Sequence, residues 1–343
     1  LQALGGTVER RPHPELGDTI VANFDGRHDG PSVLLLGHAD TVFDDGFLAS
    51  RPFRIEDGRI LGPGASDMKS GLLVGLYALE ALRSTAEVED DWLPLGSLAY
   101  IVNPDEEIGS PSSTQTIAEL AEGADAAFVL EGARANGDIV SARKGVLHLR
   151  ATISGRAAHA GVEPEKGRNA VLEAAHKALA LEALNGRWDG VTVVVGAING
   201  GTRPNIVPDR AVMQIDLRAP VADALEQARA AVLRILEEST VPDVNTEVEI
   251  GADWQPMEKT AASAALVDQA VSIAAELGFE LRDAATGGGS DANTTAALGV
   301  PSIDGLGPVG GGDHTPEEYI ELESIVPRIT LLAALLGTVG GRG

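Results

Sequence analysis

A histidine and several acidic residues directly follow three short apolar stretches of the chain, a pattern typical of buried strands. In chain order these side chains are His38, Asp40, Glu106, Glu107 and Glu131. In an open α/β sheet the ligand crevice lies beyond the carboxyl ends of the strands, so we expect these side chains to meet there. Imidazole and carboxylate groups bind zinc, and neighbouring acids repel one another unless a cation lies between them. The pattern therefore predicts a metal site with a free carboxylate that can act as a base.

Two loops contribute further candidates to this crevice. Asp67 precedes an apolar helix, where the simpler interpretation is a helix N-cap. His314 lies in a glycine-rich loop, where a single histidine is usually exposed, and Thr315 with Glu318 three residues later predicts a short helical turn with a capping box. The residues after the first strand could likewise form a surface turn, and the acidic run after the second could be solvated. A crevice that binds two metal ions would explain Asp67 and the residues after the three strands at once.

The elements around the candidate site change in type at about residue 145. Residues before this point, and again from residue 256, alternate apolar strands with amphipathic helices, which is typical of an α/β domain. Between them, the order β-α-β-β-α-β with half-exposed strands predicts a ferredoxin-like α+β unit. We therefore expect a catalytic domain of residues 1–144 and 256–343, and an inserted domain of residues 145–255.

The composition limits the classes of function. The net charge of −25 argues against nucleic-acid partners and against anionic membrane surfaces, because both require clustered basic residues. The absence of cysteine excludes disulfides and thiolate chemistry. No apolar run approaches the roughly 20 residues that span a bilayer. Because the chain starts at Leu1 rather than Met, we expect that a preceding segment was cut away or left out of the sequence, and the compartment, cytoplasmic or exported, stays open.

Taken in order, eight short motifs resemble those of the M20 metallopeptidase family, most closely its glutamate carboxypeptidase branch. They are Gly-His38-Ala-Asp40-Thr-Val, Ser-Asp67-Met-Lys, Asp-Glu106-Glu107-Ile-Gly, Glu131-Gly, Ala-Ala-His159-Ala-Gly, Asn205-Ile-Val-Pro, Gly-Gly-Gly-Ser-Asp and Asp-His314-Thr. The resemblance implies a zinc-exopeptidase-like, three-layer α/β/α catalytic domain. It also implies that the inserted ferredoxin-like α+β domain is a lid and forms the contact surface of a homodimer.

The resemblance further implies two Zn²⁺ ions per subunit, for which Co²⁺ or Mn²⁺ could substitute. One ion would bind His38, Glu131 and Asp67. The other would bind Glu107, His314 and Asp67, so that Asp67 bridges the two. In this family the peptide after the bridging aspartate, here Asp67-Met68, is often cis.

The resemblance assigns the remaining roles to seven residues. Glu106 would be the general base and Asp40 would orient His38. His159, from the lid or from a partner subunit, would donate a hydrogen bond to the reacting carbonyl oxygen, although alone it would be read as a structural histidine. The residues that would hold a substrate carboxylate are Arg218, Asn205, Gly288 and Gly289.

The expected substrate is a small N-acyl amino acid or peptide, from which the enzyme would release a C-terminal amino acid, glutamate in the carboxypeptidase branch. Arg218 supports an acidic product because its planar fork binds carboxylates, although it could also be a surface arginine. Arg143-Lys144 and Thr202-Arg203-Pro204 depart from the branch and resemble general amidohydrolases. A deacylase of N-acyl amino acids, of the aminoacylase or acetylornithine deacetylase type, and a metallo-dipeptidase therefore remain as alternatives.

Overall fold

The strand that ends at His38 lies in the middle of the largest sheet in the computed structural model, which describes residues 1–27, 29–86 and 92–341. The chain divides into two compact units. The first comprises Leu1–Arg143, Met257–Thr286 and Ser290–Gly343, and the second comprises Lys144–Pro256 and Gly287–Gly289. The long segments begin and end one residue from the predicted domain boundaries, whereas the second unit also includes three glycines that were assigned to the catalytic domain.

The strands and the helices are each numbered in chain order. The strands are β1 (Thr7–Arg11), β2 (Thr19–Asp25), β3 (Ser32–His38), β4 (Arg54–Glu56), β5 (Arg59–Leu61), β6 (Ser97–Asn103), β7 (Ala126–Val129), β8 (Ile139–Arg143), β9 (Gly145–Ser154), β10 (Thr192–Gly200), β11 (Arg210–Ala219), β12 (Asn245–Trp254), β13 (Asp283–Thr286), β14 (Ser302–Ile303), β15 (Gly310–Gly311) and β16 (Tyr319–Glu321). The helices are α1 (Phe47–Ser50), α2 (Ser70–Thr85), α3 (Thr114–Ala121), α4 (Ala170–Glu182), α5 (Ala222–Glu237), α6 (Ala261–Glu276), α7 (Asp291–Ala297) and α8 (Ile325–Gly340).

The first unit is built around a sheet with the strand order β1-β2-β6-β3-β7-β14. Strand β3 pairs in parallel with both β6 and β7, and β7 pairs in parallel with β14. A smaller sheet, β15-β16-β5-β4, and the parallel pair β13-β8 complete the unit. Because β3, β6 and β7 run in the same direction, their carboxyl ends lie at one edge, as the sequence pattern predicted.

Helices cover both faces of this sheet because β3 is apolar on both sides. Val33 and Leu35 pack with residues of α2, α6 and α8 in one buried cluster, whereas Leu34 and Leu36 pack with residues of α3 and α7 in another. The alternation follows from the two-residue period of a strand. The predicted three-layer α/β/α catalytic fold is therefore confirmed.

One glycine sets how closely α2 approaches the edge of the sheet. A Cβ atom at Gly71 would lie 1.7 Å from the carbonyl oxygen of Leu130, so only glycine fits at this position. Leu130 immediately precedes Glu131, and Asp67 precedes α2. The close contact therefore sets the distance between two of the candidate ligands.

The second unit has the predicted element order β-α-β-β-α-β. Its antiparallel sheet has the strand order β10-β11-β9-β12, and α4 and α5 pack on one face of it. The strand predicted around Glu247–Ile250 is longer, because a register shift between Ile250 and Asp253 lets β12 continue to Trp254. The opposite face of this sheet carries polar side chains that alternate with the buried ones along β9 and β11.

Contrary to expectation, one stretch is long and apolar enough to cross a membrane by length and composition. It is Leu322–Gly340, with 19 residues and a mean hydropathy of 1.5. Leu331, Leu335 and Leu336 of this stretch lie in the buried cluster of the first unit, with α2 and α6 as neighbours. In the structure, α8 is thus a core helix of that unit.

Candidate active site

The residues that follow β3, β6 and β7 meet at the carboxyl edge of the sheet. His38 is the last residue of β3, is 1% exposed and pairs in register with Asn103 at the end of β6. Glu106 and Glu107 form a single tight turn directly after β6, and Glu131 follows β7. Parallel pairing therefore brings residues from three separate parts of the sequence to one place.

Asp67 reaches this edge from the irregular turn that precedes α2. The turn begins at Gly64, which has a φ of +71°, and the Asp67–Met68 peptide is cis. The simpler interpretation of Asp67 as a helix cap is wrong, because its side chain contacts His38 and His314. His314 has a φ of +63° in the loop between β15 and β16, and although its side chain is 55% exposed, its ring faces the cluster.

The two carboxylate oxygens of Asp67 face two different groups of residues. Oδ1 lies 2.9 Å from His38 Nε2, which is itself 3.5 Å from Glu131 Oε1. Oδ2 lies 3.1 Å from His314 Nε2, which is 3.2 Å from Glu107 Oε2. The arrangement thus has two halves that share one carboxylate.

Asp40 links the two parts of the chain that follow β3 and β6. Its Oδ1 lies 3.2 Å from His38 Nδ1, and its two oxygens accept hydrogen bonds from the backbone N–H groups of Glu106 and Glu107. Burial alone would raise the pKa of Asp40, but its contacts with His38 and with the Glu107 N–H lower it below the usual value. Asp40 therefore stays ionised and orients the ring whose other nitrogen faces Asp67.

The acids of the cluster are difficult to ionise together. Burial and the charge of Glu131 raise the pKa of Glu106 well above its usual value. Burial and the charge of Asp67 raise the pKa of Glu107 to about 7, and burial raises that of Glu131 to about 7 as well. Burial alone would lower the pKa of His38, but the charge of Glu131 raises it instead. This site therefore favours added positive charge.

The predicted residues of the second unit form two separate groups. In one, Arg218 on β11 donates a hydrogen bond of 2.7 Å from Nη1 to the carbonyl oxygen of Gly287. Gly289 packs so closely on Trp254 that a Cβ atom would lie 2.5 Å from the indole ring. In the other group, His159 pairs in a short antiparallel bridge with the residue after Asn205.

Most of the chain matches one known family. The model of "Peptidase family M20/M25/M40" matches residues 34–338. The chain belongs to the M20 peptidase family. It is 32% identical over 345 residues to carboxypeptidase G2 of Pseudomonas sp. (strain RS-16), a comparison that covers 99% of this chain and 82% of that protein. The predicted family is confirmed, and the protein is a metal-dependent hydrolase.

Two further similarities extend this comparison. The chain is 29% identical over 321 residues to a succinyl-diaminopimelate desuccinylase of Dechloromonas aromatica (strain RCB), covering 88% of this chain and 81% of that protein. The structure resembles an aminopeptidase of Bacillus cereus with a TM-score of 0.77 at 24% identity, covering 98% of this chain and 90% of that one. This last similarity supports the fold alone.

The residues at the edge of the sheet fit the metal ions of an M20 hydrolase. His38, Asp67 and Glu107 offer ligand atoms that all lie within 4.8 Å of one another. Imidazole nitrogens and carboxylate oxygens are zinc ligands, and the contact between His38 Nδ1 and Asp40 is typical of a zinc-bound histidine. The raised pKa values of Glu107 and Glu131 also fit, because a bound cation would stabilise their ionised forms.

Polar residues behind the cluster were missed by the sequence analysis. Asp105 turns away from Glu106 and accepts hydrogen bonds from the backbone N–H and hydroxyl groups of Ser112. Buried Asp291 accepts hydrogen bonds from Asn103 and Ser110, and burial raises its pKa to about 6. These contacts hold the turn that carries Glu106, and only the acidic character of the run was visible in the sequence.

The capping box predicted for Thr315 and Glu318 is wrong in its main contact. No helix begins at Thr315, and its hydroxyl accepts a bond of 3.3 Å from the N–H of Glu317 and donates one of 2.7 Å to the carbonyl oxygen of Gly312. The carboxylate of Glu318 instead bonds to the backbone of the turn that carries Asp67. Burial is the physical reason, because Glu318 is 2% exposed and meets three backbone donors there.

Proposed function

We propose that the protein is a zinc-dependent exopeptidase that hydrolyses the amide bond before a C-terminal glutamate in a small N-acyl or peptidyl substrate. The observation that carries the acidic preference is the geometry of Arg218. The 32% identity to carboxypeptidase G2 supports the same reaction class. Residues of the first unit would perform the hydrolysis, and residues of the second unit would recognise the substrate.

Hydrogen bonds hold the guanidinium group of Arg218 in a fixed orientation and leave two of its N–H groups for a ligand. Its Nε and Nη2 atoms donate to Asp216, and its Nη1 atom donates to Gly287. Burial alone would raise the pKa of Asp216, but hydrogen bonds from His148 and Arg218 lower it to about 2, so it is ionised at neutral pH. A guanidinium group has five N–H bonds, which leaves one on each Nη for a substrate carboxylate.

The two halves around Asp67 support two metal positions. We propose that His38, Glu131 and Asp67 would hold one zinc ion, and that Glu107, His314 and Asp67 would hold the other. When bound, the two ions would supply Lewis acidity, which acidifies a water and polarises the reacting carbonyl.

The chain's own residues would then move the protons and stabilise the charge. Glu106 lies 3.9 Å from His38 Nε2, close to the proposed ligands, and stands outside both halves. We assign it as the general base, which takes a proton from water and returns it to the leaving amine. His159 would donate a hydrogen bond to the carbonyl oxygen as negative charge develops there. Asn205 and the amides of Gly288 and Gly289 would bind the carboxylate end of the substrate together with Arg218.

Within one chain, the proposed substrate-contacting residues of the second unit lie at opposite ends of the sheet in that unit. This placement supports a homodimer formed through residues 145–255. Eight residues of β11 separate Arg210 from Arg218, or about 27 Å at ~3.4 Å per residue. Asn205 precedes the Arg210 end of this strand, and its carbonyl oxygen accepts a hydrogen bond from the Ala160 N–H, next to His159. We propose that His159 and Asn205 act on a substrate bound by Arg218 of the other subunit.

Two alternatives within the family differ from the proposed function, and one of them has support of its own. The similarity to a desuccinylase favours a deacylase of N-acyl amino acids, which would use the same metal site. A metallo-dipeptidase would require a free α-amino group on its substrate. Both alternatives differ from the proposed function in what the substrate must carry, so a substrate panel distinguishes them.

The test is hydrolysis of four substrates by the zinc-loaded enzyme, with a chelator-treated sample as the control. The substrates are N-acyl-glutamate, an aroyl-glutamate, N-acetyl-ornithine and an unblocked dipeptide. We expect glutamate release from the first two only, and its loss after chelation. Cleavage of N-acetyl-ornithine would assign a deacylase, and cleavage of the unblocked dipeptide alone would assign a dipeptidase.

A further inference from the structure

The carboxylate of Glu318 accepts three backbone hydrogen bonds from the turn that carries Asp67. Its Oε1 accepts from the N–H of Ser66 at 2.7 Å and from that of Asp67 at 2.9 Å, and its Oε2 accepts from the N–H of Gly64 at 2.8 Å. The glutamate is 2% exposed. Both oxygens of a buried carboxylate are thus used by one short stretch of backbone.

These bonds hold a stretch of backbone that does not form regular structure. Asp67 and Met68 depart from helical φ and ψ, and the turn starts from Gly64 in the left-handed region. An ordinary helix would satisfy its own N–H groups after the first turn, but this turn presents three of them to a side chain from far along the sequence. Charge-assisted bonds of this kind are about twice as strong as neutral ones, so the turn is firmly anchored to Glu318.

Glu318 is also attached to the loop that carries His314. Only four positions separate the two residues, and Glu318 leads directly into β16, which pairs with β5. The carbonyl oxygen of Glu318 accepts a bond from Gly62, just before the turn. One residue therefore joins the segments that carry Asp67 and His314, whose side chains lie 3.1 Å apart.

We propose that Glu318 is a positioning residue that keeps Asp67 and His314 at the spacing needed to bind a metal ion between them, an inference that rests on the ligand roles proposed above. Glu318 would not touch the metal itself, because both oxygens of its carboxylate bond to backbone N–H groups of the turn. Loss of these bonds would let the turn and the loop move apart. Changes at residues that orient metal ligands typically cost about 10–100-fold in metal affinity or activity.

The test is zinc binding by Glu318→Gln, measured by competition with a chromophoric chelator. The glutamine has nearly the same shape, but its NH₂ group faces backbone N–H groups, so at least one of the three bonds is lost. We expect one of two zinc ions to bind about 10–100-fold more weakly than in the wild-type protein. Glu318→Asp, which keeps the charge on a shorter side chain, should retain part of this affinity. The matched control is Glu321→Gln, three residues further on in β16, whose carboxylate pairs with Arg59 on β5.

The outcomes separate the proposal from its premise. If both zinc dissociation constants of Glu318→Gln equal those of the wild-type protein, the positioning role is overturned. A lower melting temperature would not rescue it, because a merely structural contact would lower stability without a selective loss of one metal. If the glutamine variant does not fold, two unchanged zinc dissociation constants in Glu318→Asp would overturn the positioning role. Failure of the wild-type protein to bind zinc would overturn the ligand roles and the inference together.

Discussion

A heterodimer of one Arg218→Ala subunit and one His159→Ala subunit should be active, although the homodimer of each variant should be nearly inactive. The two residues belong to groups at opposite ends of β11, separated by more than about 27 Å of strand. If both act on one small substrate, they must come from different subunits. A heterodimer of the two variants then has one site with both native residues and one site with neither, whereas action within one chain would leave both sites defective.

The size of the effect follows from the contacts. Arg218→Ala removes two charged donors, and at about 1.5–3 kcal/mol for each such bond the loss in kcat/KM is a hundredfold or more. His159→Ala removes a donor to the developing oxyanion, which typically costs about 10²–10³ in kcat. Each variant alone should therefore be nearly inactive. The purified heterodimer should have about half the wild-type activity, because one of its two sites is intact.

The assay requires a heterodimer of known composition. The two variants are co-expressed with different affinity tags, purified on both tags in turn, loaded with zinc and tested on an N-acyl-glutamate. Each variant homodimer, carried through the same steps, is the control. Activity that does not exceed the mean of these controls would refute the reasoning, as would sedimentation of the wild-type protein as a 35.4 kDa species at assay concentration.

Three further predictions concern the residues of both units. Glu106→Gln should lower kcat by about 10²–10⁴ with unchanged zinc content measured by atomic absorption, and full activity would exclude Glu106 as the base. Arg218→Lys should raise KM roughly tenfold for glutamyl substrates and much less for neutral ones, because an ammonium cannot bind a carboxylate in two places; equal effects on both would contradict carboxylate recognition. The pKa values of Glu107 and Glu131 are raised to about 7 from an ordinary 4.5. Between these two pH values the folded metal-free protein therefore binds more protons than the unfolded chain, so its melting temperature should fall as the pH rises from about 4.5 to about 7. Zinc should abolish that fall, and a metal-free melting temperature that rises across this range would show that other groups dominate.

The parts of the site at strand ends could be predicted from the sequence because their signals are local. Four apolar residues before His38 identify a strand buried on both faces, and the direction of parallel strands then determines where Glu107 and Glu131 must lie. The six-stranded sheet and the inserted unit follow from the same periodicities. Asp67 could be added because one metal crevice would explain it together with the strand-end residues, whereas His314 could be added only through the family resemblance, because a single histidine in a loop is usually exposed.

The partners that orient these residues could not be predicted in the same way. Arg218 was predicted as a carboxylate ligand, but its bond to Gly287 joins residues 69 positions apart, and no local pattern marks such a contact. The three glycines from Gly287 to Gly289 fell within the predicted catalytic domain. They belong to the second unit instead, where Gly287 accepts the bond from Arg218 and Gly289 leaves room for the indole ring of Trp254.

Glu318 shows why a correct local pattern can still lead to a wrong contact. A capping box gives a glutamate one exposed backbone N–H three residues away, whereas the turn before α2 offers three N–H groups in a buried place. Since an ionised carboxylate loses most of its hydration on burial, it is stable there only with several donors, and the distant turn supplies them. The same bonds join the loop of His314 to that of Asp67 across 251 residues of sequence. A metal site built from both ends of a chain needs such a connection, and in this protein the residue that looked like a helix cap provides it.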